Sequence, residues 1–172
     1  MAFRYSGKNW EGRVWNTPAS LRSFGAQLDD QYPSRPTATD GTVASQNHDK
    51  VSPTSDHRPH PTTGPGVVRA LDGTVTQEQG SMITEALRKS RDVRIKYVIW
   101  NRRSFSPNTD WEWEDHGGAP HDKHFHVSFR GEHDQDDSLW DLGQQEEPVP
   151  PLTEKEETRL KICLQLWRLL VR

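Results

Sequence analysis

The sequence lacks the features that mark several common classes of protein. It has a single cysteine, Cys163, so neither an internal disulfide nor a zinc site built from cysteines is possible. No stretch approaches the ~18 apolar residues that a membrane-spanning helix needs. Basic and acidic residues are interspersed and the net charge is −3. We therefore expect no nucleic-acid partner, since phosphate binding needs clustered lysine and arginine.

The first residues also lack the apolar core of a secretory signal peptide. We therefore expect the protein to be made in a cytoplasm and to need another factor for delivery to any outside substrate. With 31% hydrophobic and 27% charged residues the chain is polar, but its seven tryptophans argue against wholesale disorder. A chain of 172 residues has room for one compact domain and a tail.

Hydrophobic periodicity predicts two helices and three strands in this domain. Apolar residues at three- and four-residue spacing predict helices over residues 18–31 and 77–90. β-Branched and aromatic residues predict strands over residues 67–72, 94–101 and 124–129. We expect an α+β fold with a small antiparallel sheet, both helices on one side and the other face open.

The segments between these elements are rich in loop-forming residues. Residues 1–16 are interpreted as an irregular leader. Residues 33–66 and 104–120 are interpreted as long loops, and loops of such length inside a compact domain commonly carry function.

Composition divides the chain into a domain over residues 1–131, an acidic and proline-rich linker over 132–152, and a helix over 153–172. Thr153 and Glu156 form a capping box that opens this helix. The helix is apolar almost all round, so we expect it to be buried by self-association or by docking to a larger assembly.

The strand over residues 124–129 carries the densest chemical signal. Alternation places His124, His126 and Ser128 on one face and three apolar residues on the other. The apolar face can pack on a core while the histidine face opens to a cleft. Two imidazoles on a rigid strand suit a zinc site, with one as ligand and the other in proton transfer. A solvated, histidine-rich edge strand is the alternative.

Asp72 stands at the end of an apolar strand, a common position for a metal ligand, although Asp72-Gly73 is also an ordinary turn dipeptide. Combined with His57 and His126 it gives three nitrogen and oxygen ligands and leaves the fourth tetrahedral position for water. Histidine and carboxylate together suit zinc better than magnesium or copper(I).

These motifs resemble the LAS group of zinc peptidases, which act on peptidoglycan. The matching elements are Ser55-x-His57, Gly66-x-x-x-Ala70-x-Asp72 and His124-x-His126. The resemblance is nearest to the murein endopeptidase and phage endolysin branch. It implies a Zn²⁺ cofactor on His57, Asp72 and His126, and hydrolysis of a peptide bond in peptidoglycan stem peptides or cross-links.

Two departures from the family pattern leave alternatives open. The interval from His57 to Asp72 is longer than usual, so either the loop holds an insertion or His60 is the ligand. We prefer His57, because Ser55 supplies the Ser-x-His context. Lys123 stands where other branches place a glutamate, so the general base remains to be found.

A histidine can replace that base, since its unperturbed pKa lies near ~6.5. His124 is the first choice and His121 the second. The family pattern implies that Ser55 positions a substrate carboxyl or carbonyl group, and a loop cap is the alternative. Arg102 and Arg103 follow a strand and are predicted to hold a carboxylate or an oxyanion, with ordinary surface arginines as the alternative.

The rival functions are a virion or cell-wall protein with a non-catalytic metal site, and a metal-dependent nuclease. A fourth protein ligand would favour the first, because structural zinc sites are closed. A lack of basic patches counts against the second. For the peptidase, we expect access to the cell wall by phage-type release or as part of a virion.

Overall fold

The computed structural model describes residues 3–61 and 65–143, which form an α+β fold. The helices in these ranges are α1 (Ala19–Gln31), α2 (Gln46–Val51) and α3 (Gln77–Ser90). The strands are β1 (Ser6–Lys8), β2 (Val14–Asn16), β3 (Gly66–Val67), β4 (Ala70–Thr74), β5 (Ile95–Trp100), β6 (Arg103–Phe105), β7 (Glu114–Asp115) and β8 (His124–Phe129). The predicted fold class is confirmed.

The strands form two sheets. The larger has the order β4-β8-β5-β6-β7, and each neighbouring pair is antiparallel. The smaller has the order β1-β2-β3, with one antiparallel and one parallel pair. Thus β8, which follows the other strands in the described chain, lies between β4 and β5.

One face of the larger sheet carries the hydrophobic core. Phe125, Val127 and Phe129 of β8 lie on it, because alternate side chains of a strand share a face. From α1, the ring of Phe24 meets those of Phe125 and Phe129 edge-on, at centroid distances of 6.1 and 5.6 Å. Ile83 of α3 joins the same core. Both helices therefore cover one side and leave the histidine face of β8 uncovered by them.

The predicted strand over residues 67–72 is divided between β3 and β4, and β4 continues to Thr74. Gly73 therefore lies inside the strand, whereas the predicted strand ended at Asp72. It pairs with Phe125, and a Cβ at this position would lie 2.7 Å from the Phe125 ring. The glycine is required for space beside an aromatic ring rather than for a turn.

The predicted leader and loops contain further structure. Residues 1–16 include the β1–β2 hairpin, and Trp15 is buried, so the prediction of an irregular leader was wrong. Residues 33–66 contain α2, which Ser45 caps by accepting a hydrogen bond from the third residue after it. Residues 104–120 contain most of β6 and all of β7. Each of these elements is too short to give a strong periodic signal.

The segment after β8 belongs to the folded domain as far as Gly143. Trp140 is only 4% exposed, and its ring meets Phe24 edge-on at a centroid distance of 5.2 Å. Asp134 forms an ion pair with Arg69, with 2.5 Å between the carboxylate oxygen and the guanidinium nitrogen. This segment is therefore anchored by both packing and charge.

The predicted linker over residues 132–152 is wrong for residues 132–143. Acidic composition is typical of solvated linkers, but here acidic groups pair with arginines and an aromatic ring fills the core. The remaining linker residues and the predicted helix over 153–172 lie outside the described residues. Within the described part, no helix has the length and apolarity to cross a bilayer.

Candidate metal centre

The register of the larger sheet places Asp72 and His126 side by side. Asp72 of β4 pairs with His126 of β8, on the face away from the core. His57 comes from the loop that runs along β4, where Gly41 and Asp72 form a backbone bridge. The carbonyl of His57 accepts a hydrogen bond of 2.9 Å from the backbone N–H of Ala44. Backbone pairing therefore brings the three predicted ligands together.

Three potential ligand atoms converge. His57 Nε2 lies 3.1 Å from Asp72 Oδ1 and 3.1 Å from His126 Nδ1, and the last two atoms are 2.9 Å apart. A tetrahedral zinc ion with bonds of about 2.0–2.1 Å holds its ligand atoms about 3.3 Å apart. The triangle is close to that size. His57 and His126 are only 3% and 4% exposed.

Hydrogen bonds behind the two imidazoles orient their lone pairs. His57 Nδ1 lies 2.6 Å from the backbone carbonyl of Thr42, which can only accept. Nδ1 therefore carries a proton, and Nε2 of the neutral ring presents its lone pair to the group. His126 Nε2 lies 2.9 Å from Ser128 Oγ. Such support of the rear ring nitrogen is usual for metal-binding histidines.

The charges also suit a cation. Burial lowers the pKa of His126 to about 4, so this ring is neutral at pH 7. Burial acts against charge on His57 as well, but the Asp72 carboxylate outweighs it and raises the pKa of His57. Burial would raise the pKa of Asp72, but the two histidines hold it well below its usual range. The half-buried carboxylate is thus stabilised by a nearby positive charge, which a proton or a metal ion can supply.

His124 and His121 lie at the mouth of this group and are half-buried. His124 Nε2 is 4.0 Å from Asp72 Oδ2, and its Nδ1 is 3.3 Å from Thr39 Oγ1. The ring of His121 lies 5.1 Å from that of His124 and 5.9 Å from that of His126, measured between centroids. Burial lowers the pKa of His124, so its neutral form can accept a proton. The structure therefore brings both predicted catalytic histidines beside the ligands.

Ser55 supports the loop that carries His57. Its Oγ accepts a hydrogen bond of 3.2 Å from the backbone N–H of His57 and lies 3.1 Å from His48 Nε2. These contacts are those of the loop cap that we considered as the alternative, and a role in substrate binding stays a prediction. His60 instead pairs through its backbone with Val67 and is outside the ligand group. The geometry thus favours His57 over His60.

Arg102 lies in the turn between β5 and β6, Arg103 is the first residue of β6, and both side chains are exposed. The Arg103 guanidinium lies over the ring of Trp113, 4.8 Å from its centroid. The same turn holds the loop of His121, because the backbone N–H of Asn101 donates to the carbonyl of His121 at 2.9 Å. Contact of either guanidinium with a substrate stays a prediction.

Sequence reasoning did not assign three residues that support the site: Thr39, Thr42 and Tyr97. The Tyr97 ring is stacked on that of His126, with 5.3 Å between centroids and 21° between planes. Tyr97 could be found only from the register, in which it pairs with Ser128. Thr42 acts through its backbone carbonyl, so its side chain gives no signal.

Comparison of the chain with protein-family models, curated proteins and solved structures found no match. What the site can do chemically is therefore inferred from its own residues alone. Two imidazole nitrogens and one carboxylate oxygen form a donor set that fits zinc. Beside them, two further histidines can accept or donate a proton.

Proposed function

We propose that this chain is a zinc-dependent peptidase that hydrolyses a peptide bond in peptidoglycan stem peptides or cross-links. The main support is the triangle of His57, Asp72 and His126, in which both histidines are buried and the carboxylate is half-buried. Within the described residues, no fourth histidine, cysteine, aspartate or glutamate completes this group. Catalytic zinc sites keep one position open for water or substrate, whereas structural sites are closed. The motifs shared with the LAS group support the substrate class.

Zinc bound at this site would polarise the scissile carbonyl and lower the pKa of water. The Nε2 atom of His124 then accepts a proton from the attacking water, and His124 passes this proton to the leaving amine. Its neutral ring and its place beside Asp72 Oδ2 suit this role. His121 is the second candidate, because its ring lies next to that of His124.

The test uses the purified chain in zinc-loaded and chelated forms. Synthetic stem peptides and isolated cross-linked muropeptides serve as substrates, and product masses identify the bond. We expect cleavage with zinc, none after chelation, and recovery when zinc is returned. Full zinc occupancy without cleavage of any of these substrates would favour the metal-containing structural protein instead.

Matched histidine variants separate the catalytic role from general effects of substitution. His124→Ala should keep its zinc and lose activity. His133→Ala is the control, because His133 lies in the short 3₁₀ turn after β8 and is outside both groups of potential ligands. Equal activity of the two variants would overturn the assignment of His124 as the base.

A further inference from the structure

A second group of potential ligand atoms lies beside the first and shares Asp72 with it. His121, His124 and Asp72 each offer one atom, and these lie within 4.8 Å of one another. Asp72 Oδ1 contacts His57 and His126, whereas Oδ2 faces the second group, 4.0 Å from His124 Nε2. The second group is half-buried, so it lies nearer to solvent than the two buried histidines.

The lone pairs of the two outer histidines are oriented in the same way as those of the inner pair. His121 Nδ1 lies 2.8 Å from the carbonyl oxygen of Ala119, so Nδ1 donates and Nε2 keeps its lone pair in the neutral ring. His124 Nδ1 lies 3.3 Å from Thr39 Oγ1, which leaves Nε2 on the side of the carboxylate. Support of the rear nitrogen is a property of metal-binding imidazoles.

The backbone around His121 provides an independent observation. His121 has a φ of +47°, a left-handed conformation that a few per cent of non-glycine residues adopt, with histidine among the more frequent types. The backbone N–H of Asn101 holds it there by donating to the carbonyl of His121 at 2.9 Å. Residues kept in such conformations by their neighbours are concentrated at functional sites.

We propose that His121, His124 and Asp72 Oδ2 form a second, weaker divalent-cation site, and that a metal ion bound there inhibits the enzyme. Asp72 would then bridge two cations through its two oxygens, as carboxylates do in two-metal sites with ions about 3.5–4 Å apart. The ion at the second site takes the lone pair of His124 and so removes the general base. Inhibition rests on the proposed peptidase function, but binding does not.

The structure gives two reasons for the lower affinity of this second site. His124 Nε2 and Asp72 Oδ2 are 4.0 Å apart, whereas the ligand atoms of the first group are 2.9–3.1 Å apart, so the rings must move inward before one ion contacts all three. Its negative charge is the single carboxylate of Asp72, which the first cation already neutralises in part. The first site therefore fills at lower metal concentration, and the second fills only in excess.

Equilibrium dialysis of the full chain against zinc tests the binding. We expect wild type to bind about two ions in separate phases, and His121→Ala and His124→Gln to bind about one each. Asp72→Asn should lose both phases. His133→Ala is the control for adventitious histidine binding and should still bind two. Thermal unfolding of each variant shows whether a lost ion reflects a lost fold.

A wild type that saturates at one ion overturns the second site, as does retention of the weak phase in both folded His121→Ala and His124→Gln. Retention of the weak phase in Asp72→Asn overturns the shared carboxylate.

Activity measured during the same zinc titration tests the inhibition. Wild type should lose activity as the weak phase fills, and His133→Ala should do the same. Constant activity through this phase overturns the inhibitory role. Two binding phases without cleavage of any stem peptide, even when only the first phase is filled, would overturn the peptidase and keep the second site. Cleavage by a wild type that saturates at one ion would overturn the second site and keep the peptidase.

Discussion

Replacing Asp72 with asparagine removes the charge at the centre of the metal group while keeping the shape of the side chain. Its Oδ1 lies 3.1 Å from His57 Nε2 and 2.9 Å from His126 Nδ1, so the substitution acts directly on the ligand triangle. The pairing of β4 with β8 uses backbone atoms and should survive. We therefore expect a folded protein that no longer holds zinc.

The magnitude follows from the linkage between binding and stability. A ligand that binds only the folded state stabilises it by about 2.7 kcal/mol when its free concentration is 100 times Kd. In a folded region of this size, 1 kcal/mol moves Tm by roughly 3–4 °C. Zinc at that concentration should therefore raise the Tm of wild type by about 8–11 °C, and that of Asp72→Asn by less than about 1 °C.

Scanning calorimetry at buffered free zinc measures both values. Asp56→Asn is the matched control, because the Asp56 carboxylate pairs with Lys96 at 2.8 Å and is outside the metal group. It should lose at most about 1 kcal/mol of stability and keep the full response to zinc. An Asp72→Asn protein with the wild-type response would refute the assignment of this carboxylate as a ligand.

Four further predictions test the base, the ligand support, the domain boundary and the tail. His124→Ala should retain zinc by elemental analysis but lower turnover about 10²–10⁴-fold; a near-normal rate, with His121→Ala inactive, would transfer the role to His121. Ser128→Ala should weaken zinc binding about 10–100-fold in competition with a chelator, and unchanged affinity would contradict its support of the buried ring. Trp140→Ala should lower the free energy of unfolding in urea by about 3–5 kcal/mol. A negligible loss would instead support the original prediction that residues 132–143 belong to a linker. A chain ending at Gly143 should stay folded, zinc-loaded and active while becoming a monomer by light scattering; unfolding or aggregation would place the tail in the core.

Much of the site could be predicted because strand alternation is a local property. The order of apolar and polar residues in the β8 sequence is enough to place His124 and His126 on one face. Asp72 was identifiable as an acid within an apolar segment. The long loop before β4 was expected to carry function because of its length, and it supplies His57 together with the carbonyl of Thr42.

The rest depends on contacts between distant parts of the chain. Pairing of Asp72 with His126, and of Tyr97 with Ser128, follows from a strand order that no local pattern encodes. The fit of Gly73 against an aromatic ring likewise appears only when two strands meet. The predicted end of the domain at residue 131 was wrong for the same reason. The partners of the acidic segment after it, such as Arg69 for Asp134, lie far away in sequence.

The position of β8 between β4 and β5 has a consequence for biosynthesis. A nascent chain that has not yet emerged through residue 129 has the two flanking strands but not the strand that pairs with both. It also lacks His126, which is 54 residues from Asp72 and 69 from His57. Insertion of β8 into the larger sheet and assembly of the ligand triangle are thus the same folding event. Shorter translation products and fragments cut before β8 cannot hold the metal in this geometry, so the proposed hydrolytic activity would first arise in a chain whose larger sheet is complete.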